Sequence, residues 1–271
     1  MNDNTKTNNI NINPKLKIIK EKIINNDNQT IVVNIIRDDL LEGGTKSRGI
    51  IPYFKQSKAT EFVYVTPTTG SAQVTLAYSA SLTGKKITLF MNKLTPRNNL
   101  TQKALRYNTV KLVEKNNASF KHLTKLAEKY VKNIQKKEGA DYVEYLTLGF
   151  HNPLYKKIVV EQLKKALPKK IKDNNPDRLW VVGGSSLLAN ALYEVLPNTH
   201  IMLVQVGKTI WPDMINEKRT TLFVSDEEFY NEAKIQPPFP TTKSYDAKLW
   251  TFVLKYGNNN DYVWNVTSDE L

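Results

Sequence analysis

Residues 37–48 read RDDLLEGGTKSR and follow a run of branched apolar residues, TIVVNII, at 30–36. The apolar run predicts a buried strand, and Gly43 and Gly44 predict a sharp turn after it. The residues that follow Lys46, SRGIIPYF, are typical of a helix. Lys46 would then lie at a boundary between domains. If the pocket there is partly desolvated and cationic, the pKa of the amine is lowered and the amine becomes a nucleophile towards aldehydes. On this stretch alone, an ordinary surface lysine is the simpler interpretation.

The same order of strand and helix recurs along the chain. Further apolar and β-branched runs predict strands at 62–65, 86–90, 110–113, 179–182, 201–206 and 262–266. Strands that alternate with helices predict a parallel α/β architecture, and the length of 271 residues suits two domains. We expect a larger domain at 15–55 plus 150–271, a smaller inserted α/β domain at 56–149, and a flexible leader at 1–14.

Two helices are evident from their apolar periodicity. In residues 120–136 the apolar side chains form one stripe, and the opposite face carries Lys121, Lys125, Lys129, Lys132 and Lys136. Such a lysine face is usually only solvated. Asn152 and Pro153 are typical of a cap and a first helical turn, so we expect a second helix from there to residue 167.

A second segment that suits a ligand is residues 66–84, TPTTGSAQVTLAYSASLTG. A strand runs into a turn and then into a helix of small residues, and the turn consists of Thr68, Thr69, Gly70 and Ser71. Backbone amides at the start of a helix are free to bind an anion. A carboxylate or a phosphate would therefore fit here, with the hydroxyl groups as further donors. A capped turn without a ligand is an equally good interpretation.

A third segment, residues 179–196, reads LWVVGGSSLLANALYEVL and predicts a strand, a turn and a helix. The turn consists of Gly183, Gly184, Ser185 and Ser186. Glycines let the backbone approach a phosphate closely, and the helix dipole favours its charge. The turn has neither the Gly-Lys-Ser/Thr of a nucleoside-triphosphate loop nor the G-x-G-x-x-G of a dinucleotide site. A phosphate monoester is therefore the better ligand.

A fourth segment, residues 243–250, reads KSYDAKLW and precedes the last predicted strand. An aspartate beside a bound heterocycle can hold a ring nitrogen protonated, which makes the ring an electron sink. Taken alone, the segment indicates little about function.

In this order, the four segments resemble the tryptophan-synthase-β-like enzymes, known as fold type II, which use pyridoxal phosphate. RDDLLEGGTKSR is similar to the R/K-x-D-L-L-x-G-G-x-K-x-R stretch of aminocyclopropane-carboxylate deaminase and D-cysteine desulfhydrase, and YDAKLW is similar to their Tyr-Glu-Gly-Lys stretch. The resemblance implies a two-domain α/β fold with parallel-rich sheets flanked by helices, and pyridoxal 5'-phosphate as the cofactor.

The resemblance also implies a role for each site residue. Lys46 would bind the cofactor as a Schiff base and act as general base, and the other catalytic residues would be Tyr245 and Asp246. Asp246 would face the pyridine nitrogen, with the hydroxyl of Thr267 or Ser268 as its rival. The implied cofactor-binding residues are Lys46, Ser71, Gly183, Gly184, Ser185, Ser186, Asp246 and Thr267. The implied substrate-binding residues are Thr68, Thr69, Gly70, Ser71, Gln73 and Tyr245.

Positive charge is concentrated in residues 102–172, which hold 17 Lys and Arg against 6 Asp and Glu and so contribute +11 of the net +13. Lysine accounts for 33 of the 39 basic residues, and Asn occurs 28 times; codon drift in an AT-rich genome would produce this bias towards Lys and Asn, and so the basic balance. Selection for a polyanionic partner would also produce a basic balance. The leading hypothesis is a pyridoxal-phosphate enzyme acting at Cα or Cβ of an amino acid, of the deaminase, lyase or β-replacement type. One alternative is such an enzyme acting on an amino acid attached to a nucleic-acid base, as in viral or phage DNA modification. Another is a non-catalytic nucleic-acid-binding scaffold.

Composition excludes several other classes. The chain has no cysteine, so disulfide scaffolds, thiolate nucleophiles and sulfur-ligated metals are excluded. The spacing of His122, His151 and His200 suits no metal site. No window of about 18 residues lacks charge, and the start has no basic flank before an apolar run. We therefore expect a cytoplasmic protein without a membrane span. Separately, we expect an amino-acid-like small molecule as partner, and a homodimer is one assembly that we consider.

Overall fold

The computed structural model describes residues 11–207, 210 and 212–269 of the chain. Its strands are β1 (Lys17–Ile24), β2 (Thr30–Arg37), β3 (Glu61–Val65), β4 (Lys86–Asn92), β5 (Val110–Lys115), β6 (Val143–Leu146), β7 (Arg178–Gly183), β8 (His200–Gln205), β9 (Thr220–Val224) and β10 (Tyr262–Asn265). Its helices are α1 (Thr45–Gln56), α2 (Ala72–Thr83), α3 (Asn99–Ala104), α4 (Phe120–Glu138), α5 (Pro153–Ala166), α6 (Lys169–Asp173), α7 (Leu187–Val195) and α8 (Trp250–Tyr256).

Two of the candidate ligand-binding turns lie at the carboxyl ends of strands in the larger sheet. Its strand order is β1-β2-β10-β7-β8-β9, with β1 and β2 antiparallel and the other pairs parallel. The last strand, β10, therefore lies between β2 and β7. Because parallel strands end at the same edge, the turn after β2, the turn after β7 and residues 266–268 come together there.

The smaller sheet has the order β5-β4-β3-β6, and all of its pairs are parallel. Side chains of β3 alternate between two faces. Phe62 and Tyr64 point into the main core with α1 and α2, whereas Val63 and Val65 pack with the buried stripe of α4. Helix α4 therefore covers the face of this sheet that is turned away from α1.

The α/β class predicted from the sequence is confirmed, and each of the seven predicted strands is present within two residues of its predicted ends. Three strands were not predicted, namely β1, β6 and β9, and each of them is an edge strand. An edge strand buries fewer of its side chains, so its apolar run is short or interrupted by charge, as in KIIKEKII of β1.

The smaller sheet lies entirely within 56–149 and the larger sheet entirely outside it. The division into two domains at these limits stays a prediction. The predicted leader at 1–14 falls mostly outside the described residues; near its end, the Asn13 amide donates to the Gln162 carbonyl at 3.1 Å. Within the described part of the chain, no helix is both long and apolar enough to cross a membrane.

Candidate active site

The two glycines before Lys46 are required by their backbone and by their neighbours. Gly43 and Gly44 have φ angles of 75° and 69°, a region that favours glycine. A Cβ on Gly43 would lie 2.7 Å from the Thr75 Cα, and one on Gly44 would lie 2.7 Å from the Thr267 Cβ and clash with the Val266 carbonyl. The turn therefore lets α2 and the end of β10 approach the lysine closely.

Lys46 is the second residue of α1 and is partly buried at the wall of a cleft. The helix starts where the Thr45 amide donates to the Val266 carbonyl at 3.0 Å. Burial lowers the pKa of the Lys46 amine, while the charge of Asp246 opposes this shift. A larger share of this amine is therefore neutral than at an exposed lysine, which favours nucleophilic and basic chemistry.

The cleft contains about 530 Å³ of space, its open mouth included. Its polar wall consists of Lys46, Gly184, Ser185, Ser186 and Tyr245, and its apolar wall includes Phe150, Tyr155, Val159, Val182 and Val266. The structure thus brings the lysine and the glycine-rich turn together, although 137 residues separate Lys46 from Gly183 in the sequence.

The turn after β7 presents hydroxyl groups and helix amides to this cleft. Ser186 adopts a left-handed conformation with φ of 55°, directly before α7 begins at Leu187. Its Oγ is buried and finds no hydrogen-bond partner within the described residues. A Cβ on Gly184 would lie 3.0 Å from the Tyr245 hydroxyl. A helix start without a side-chain cap, next to the unpaired Ser186 hydroxyl, is an arrangement that an anionic group would complete.

Asp246 lies in a 3₁₀ turn before α8 and is 3% exposed. The Val266 amide donates to its Oδ1 at 3.3 Å, while Oδ2 makes no hydrogen bond to any described residue. Burial raises the pKa of this carboxyl to about 8, and the charge of Lys46 is the largest opposing influence. Burial also raises the pKa of the neighbouring Tyr245 hydroxyl. The charge of Lys46 thus offsets only part of the cost of burying this carboxyl.

The predicted substrate-binding residues are less closely grouped. Ser71 lines a second, smaller depression of about 260 Å³, its open mouth included, together with Gly43, Thr267 and Ser268. Thr68, Thr69, Gly70 and Gln73 line neither the cleft nor this depression. Gln73 is fully buried, and its amide donates to the Thr68 carbonyl at 2.9 Å, so it supports the turn from within.

Phe150 and Tyr155 line the cleft and were not predicted from the sequence. Phe150 has a φ of 55° and stacks on Tyr64, and nothing in the sequence around it marks this conformation. Tyr155 on α5 donates its hydroxyl to the Lys46 carbonyl at 3.3 Å. A signal for Tyr155 was present in Gly49, because a glycine inside a helical pattern indicates close approach. A Cβ there would lie 2.5 Å from the Tyr155 ring.

No model of a known protein family matches the sequence, and no curated protein is similar to it in sequence. Solved structures do share its architecture. An ACC deaminase homologue superposes with a TM-score of 0.72 at 13% identity, covering 95% of this chain and 90% of that one. A hydrogen sulfide-producing enzyme from Fusobacterium nucleatum has a TM-score of 0.62 at 16% identity, with coverages of 96% and 97%. Diaminopropionate ammonia lyase from Escherichia coli has a TM-score of 0.62 at 11% identity, with coverages of 88% and 78%. The chain therefore has the fold of these enzymes, which is the fold type II architecture expected from its four segments.

Proposed function

We propose that this protein is a pyridoxal-phosphate-dependent enzyme acting at Cα or Cβ of an amino-acid substrate, of the deaminase, lyase or β-replacement type. One observation carries the proposal. Lys46, the 184–186 turn and Tyr245 line a single cleft, and the buried Asp246 carboxyl interacts with the lysine amine. The fold shared with a deaminase homologue and an ammonia lyase supports the same class.

The polar residues of the cleft, together with the buried Asp246 that interacts with Lys46, fit this cofactor group by group. The Lys46 amine would hold the aldehyde carbon. The hydroxyls of Ser185 and Ser186, with the first amides of α7, would hold the phosphate, and the unpaired Ser186 Oγ supports this role. The Asp246 Oδ2, buried and without a partner among the described residues, would hold the ring nitrogen.

Pyridoxal phosphate supplies an electron-withdrawing ring that stabilises negative charge at the α-carbon of an amino acid. The protein supplies the proton transfers. Because burial favours the neutral Lys46 amine, its Nζ is suited to accept the α-proton of the substrate. Because burial raises the pKa of Tyr245, its hydroxyl stays protonated and acts as a donor at the cleft wall. Phe150, Val159 and Val182 exclude water from this reaction.

We assign the turn at residues 68–71 to the substrate carboxylate. The side-chain amides of Asn98 and Gln73 both donate to the Thr68 carbonyl, at 2.6 and 2.9 Å, and so fix the shape of the turn. The Thr69 Oγ1 is buried and without a hydrogen-bond partner in the described part of the chain. A carboxylate at the start of α2 would accept from this hydroxyl and from the backbone amides.

Borohydride reduction followed by peptide mapping tests the proposal. Protein incubated with pyridoxal phosphate should carry one reduced pyridoxyl group on Lys46, and Lys46→Ala should abolish both this label and the visible absorption band. Lys55→Ala, which removes an exposed lysine of the same helix, should retain both. A label on another lysine, or none after incubation with the cofactor, would contradict the assignment.

A second proposed function is polyanion binding by the basic face of α4, because its lysines are exposed and residues 102–172 carry most of the net charge. Helix α4 packs through its buried stripe on the side of the smaller sheet opposite α1, and its lysine face is exposed. A nucleic acid bound there would lie away from the Lys46 cleft. A free amino acid is therefore the substrate that we favour over one attached to a nucleic-acid base.

A further inference from the structure

A buried chain of polar side chains lies beneath the lysine turn. The Arg48 Nε donates to the Asp38 Oδ1 at 2.8 Å, and the Thr45 hydroxyl donates to the Asp38 Oδ2 at 2.6 Å. The Thr45 oxygen in turn accepts from the Trp264 indole at 3.0 Å. All four residues are at most 5% exposed. A single hydroxyl group therefore joins α1, the segment after β2, and β10.

Val266, directly after β10, connects these hydrogen-bonded side chains to Asp246. The Val266 carbonyl accepts from the Thr45 amide at 3.0 Å, and the Val266 amide donates to the Asp246 carboxylate at 3.3 Å. Thr45 precedes Lys46 directly. The position of the lysine relative to Asp246 is thus set by how the first turn of α1 is held against residues 264–266.

A contribution to the stability of the fold does not by itself explain why these buried side chains are polar. Asp38 is fully buried, and the desolvation of such a carboxylate offsets much of what its ion pair with Arg48 contributes. A well-packed apolar cluster would stabilise the same contact between elements at least as well. What the polar chain adds is direction, since each hydrogen bond fixes a distance and an angle that apolar packing leaves free.

We infer that Thr45 is a positioning residue for Lys46: its hydroxyl bridges Asp38 and Trp264, and so holds the amine of Lys46 opposite the Asp246 carboxyl. The importance of that placement for catalysis rests on the proposed function. The placement itself is a property of the protein without cofactor, and is measurable there.

The test compares Thr45→Val with Thr45→Ser. Valine keeps the shape of threonine but leaves the Asp38 Oδ2 and the Trp264 indole without this partner, whereas serine keeps both hydrogen bonds. Full-length protein, freed of any bound cofactor with hydroxylamine, is labelled with acetic anhydride across a pH series, and labelling at Lys46 is read by peptide mass spectrometry. Thr124→Val is the matched control, because that hydroxyl donates to the Phe120 carbonyl within α4 and makes no contact with the lysine turn.

The valine variant should move the labelling midpoint of Lys46 up by about half a pH unit or more, because water reaches an amine that is no longer held in place and burial affects its pKa more than the charge of Asp246 does. Serine and the Thr124 variant should label as the wild type does. An unchanged midpoint in Thr45→Val would overturn the inference.

Trp264→Phe provides a second test if the valine variant does not fold. It removes the indole donor and keeps the Thr45–Asp38 bond, and it should shift the midpoint in the same direction; no shift would also overturn the inference. A wild type that binds no pyridoxal phosphate would refute the proposed function, yet the labelling comparison would still decide the role of Thr45.

Discussion

Replacing Asp246 with asparagine should stabilise the cofactor-free protein at neutral pH and leave its stability unchanged in acid. The carboxyl is 3% exposed, and burial raises its pKa from 3.8 to about 8. Between these two values the folded state binds more protons than the unfolded state, so raising the pH destabilises the fold. Well below pH 3.8 both states are protonated and the group makes no difference, and at pH 4 the difference is already small. Asparagine mimics the protonated acid and keeps the acceptor for the Val266 amide.

The size of the effect follows from the shift. A pH of 7 lies about three units above the unfolded pKa and still below the folded pKa. At about 1.4 kcal/mol per unit, the raised pKa therefore lowers the free energy of unfolding by about 4 kcal/mol at this pH. The asparagine amide also brings two N–H donors where the protonated acid has one O–H, and the cost of burying the extra donor without a partner reduces the gain. We therefore expect the free energy of unfolding to rise by about 2 kcal/mol at pH 7 and by about zero at pH 4.

Urea unfolding of both proteins at pH 4, 5.5, 7 and 8.5, after cofactor removal, measures this difference directly. The control is Asp27→Asn, which neutralises an exposed carboxyl and should change the unfolding free energy little at any pH. A gain for Asp246→Asn that is equal at pH 4 and pH 7 would show that the carboxyl does not titrate within the fold. A loss at pH 7 would show that it is already stabilised as a carboxylate.

Three further outcomes are expected. Gly44→Ala should lower the unfolding free energy by about 3 kcal/mol or more in urea titrations, whereas Gly84→Ala, with a similar φ of 66° and nothing within 4 Å, should lower it by about 1 kcal/mol. Tyr155→Phe should cost about 1 kcal/mol in the same assay, because it removes the hydroxyl that donates to the Lys46 carbonyl. Any affinity for DNA or RNA should fall steeply with salt in filter-binding assays, and the slope should become shallower, with amino-acid turnover unaffected, when glutamine replaces Lys121, Lys125, Lys129 and Lys132.

Strands at the centre of each sheet could be predicted from the sequence because burial on both faces makes them continuous apolar runs. LWVV in β7 and IMLV in β8 are examples, with every residue fully or nearly fully buried. The edge strands β1, β6 and β9 were not predictable in this way, since about half of each is solvated, whereas the edge strand β5 was predicted from its run VKLV. In TTLFV of β9, Phe223 packs inward against Trp180, while Leu222 and Val224 are exposed.

The lining of the candidate site was predictable where a local backbone feature marks it. Two glycines before Lys46 and two before Ser185 each mark a strand-to-helix turn, and both turns line the cleft. Contacts between distant segments left no such mark. The hydrogen bond between Thr45 and Trp264 spans 219 residues, and neither side chain is unusual in its own segment. The polar chain that holds the lysine turn therefore emerges only from the folded structure.

The choice between Asp246 and Thr267 as partner of the ring nitrogen also depends on placement. Asp246 interacts directly with the charge of Lys46, whereas Thr267 lines the second depression with Ser71. A ring held by Lys46 and by the turn at 184–186 would therefore meet the carboxyl, and a cation at its free Oδ2 would restore the carboxylate that burial disfavours.

On the proposed function, Asp246→Asn should keep the cofactor on Lys46 but suppress exchange of the substrate α-proton with solvent, because a neutral amide does not hold the ring nitrogen protonated. The Thr267→Val variant should exchange the substrate α-proton with solvent at the rate of the wild type. The measurement is deuterium incorporation, by nuclear magnetic resonance, into whichever amino acid changes the visible spectrum of the holoenzyme. Normal exchange in Asp246→Asn together with loss in Thr267→Val would transfer the role to the hydroxyl.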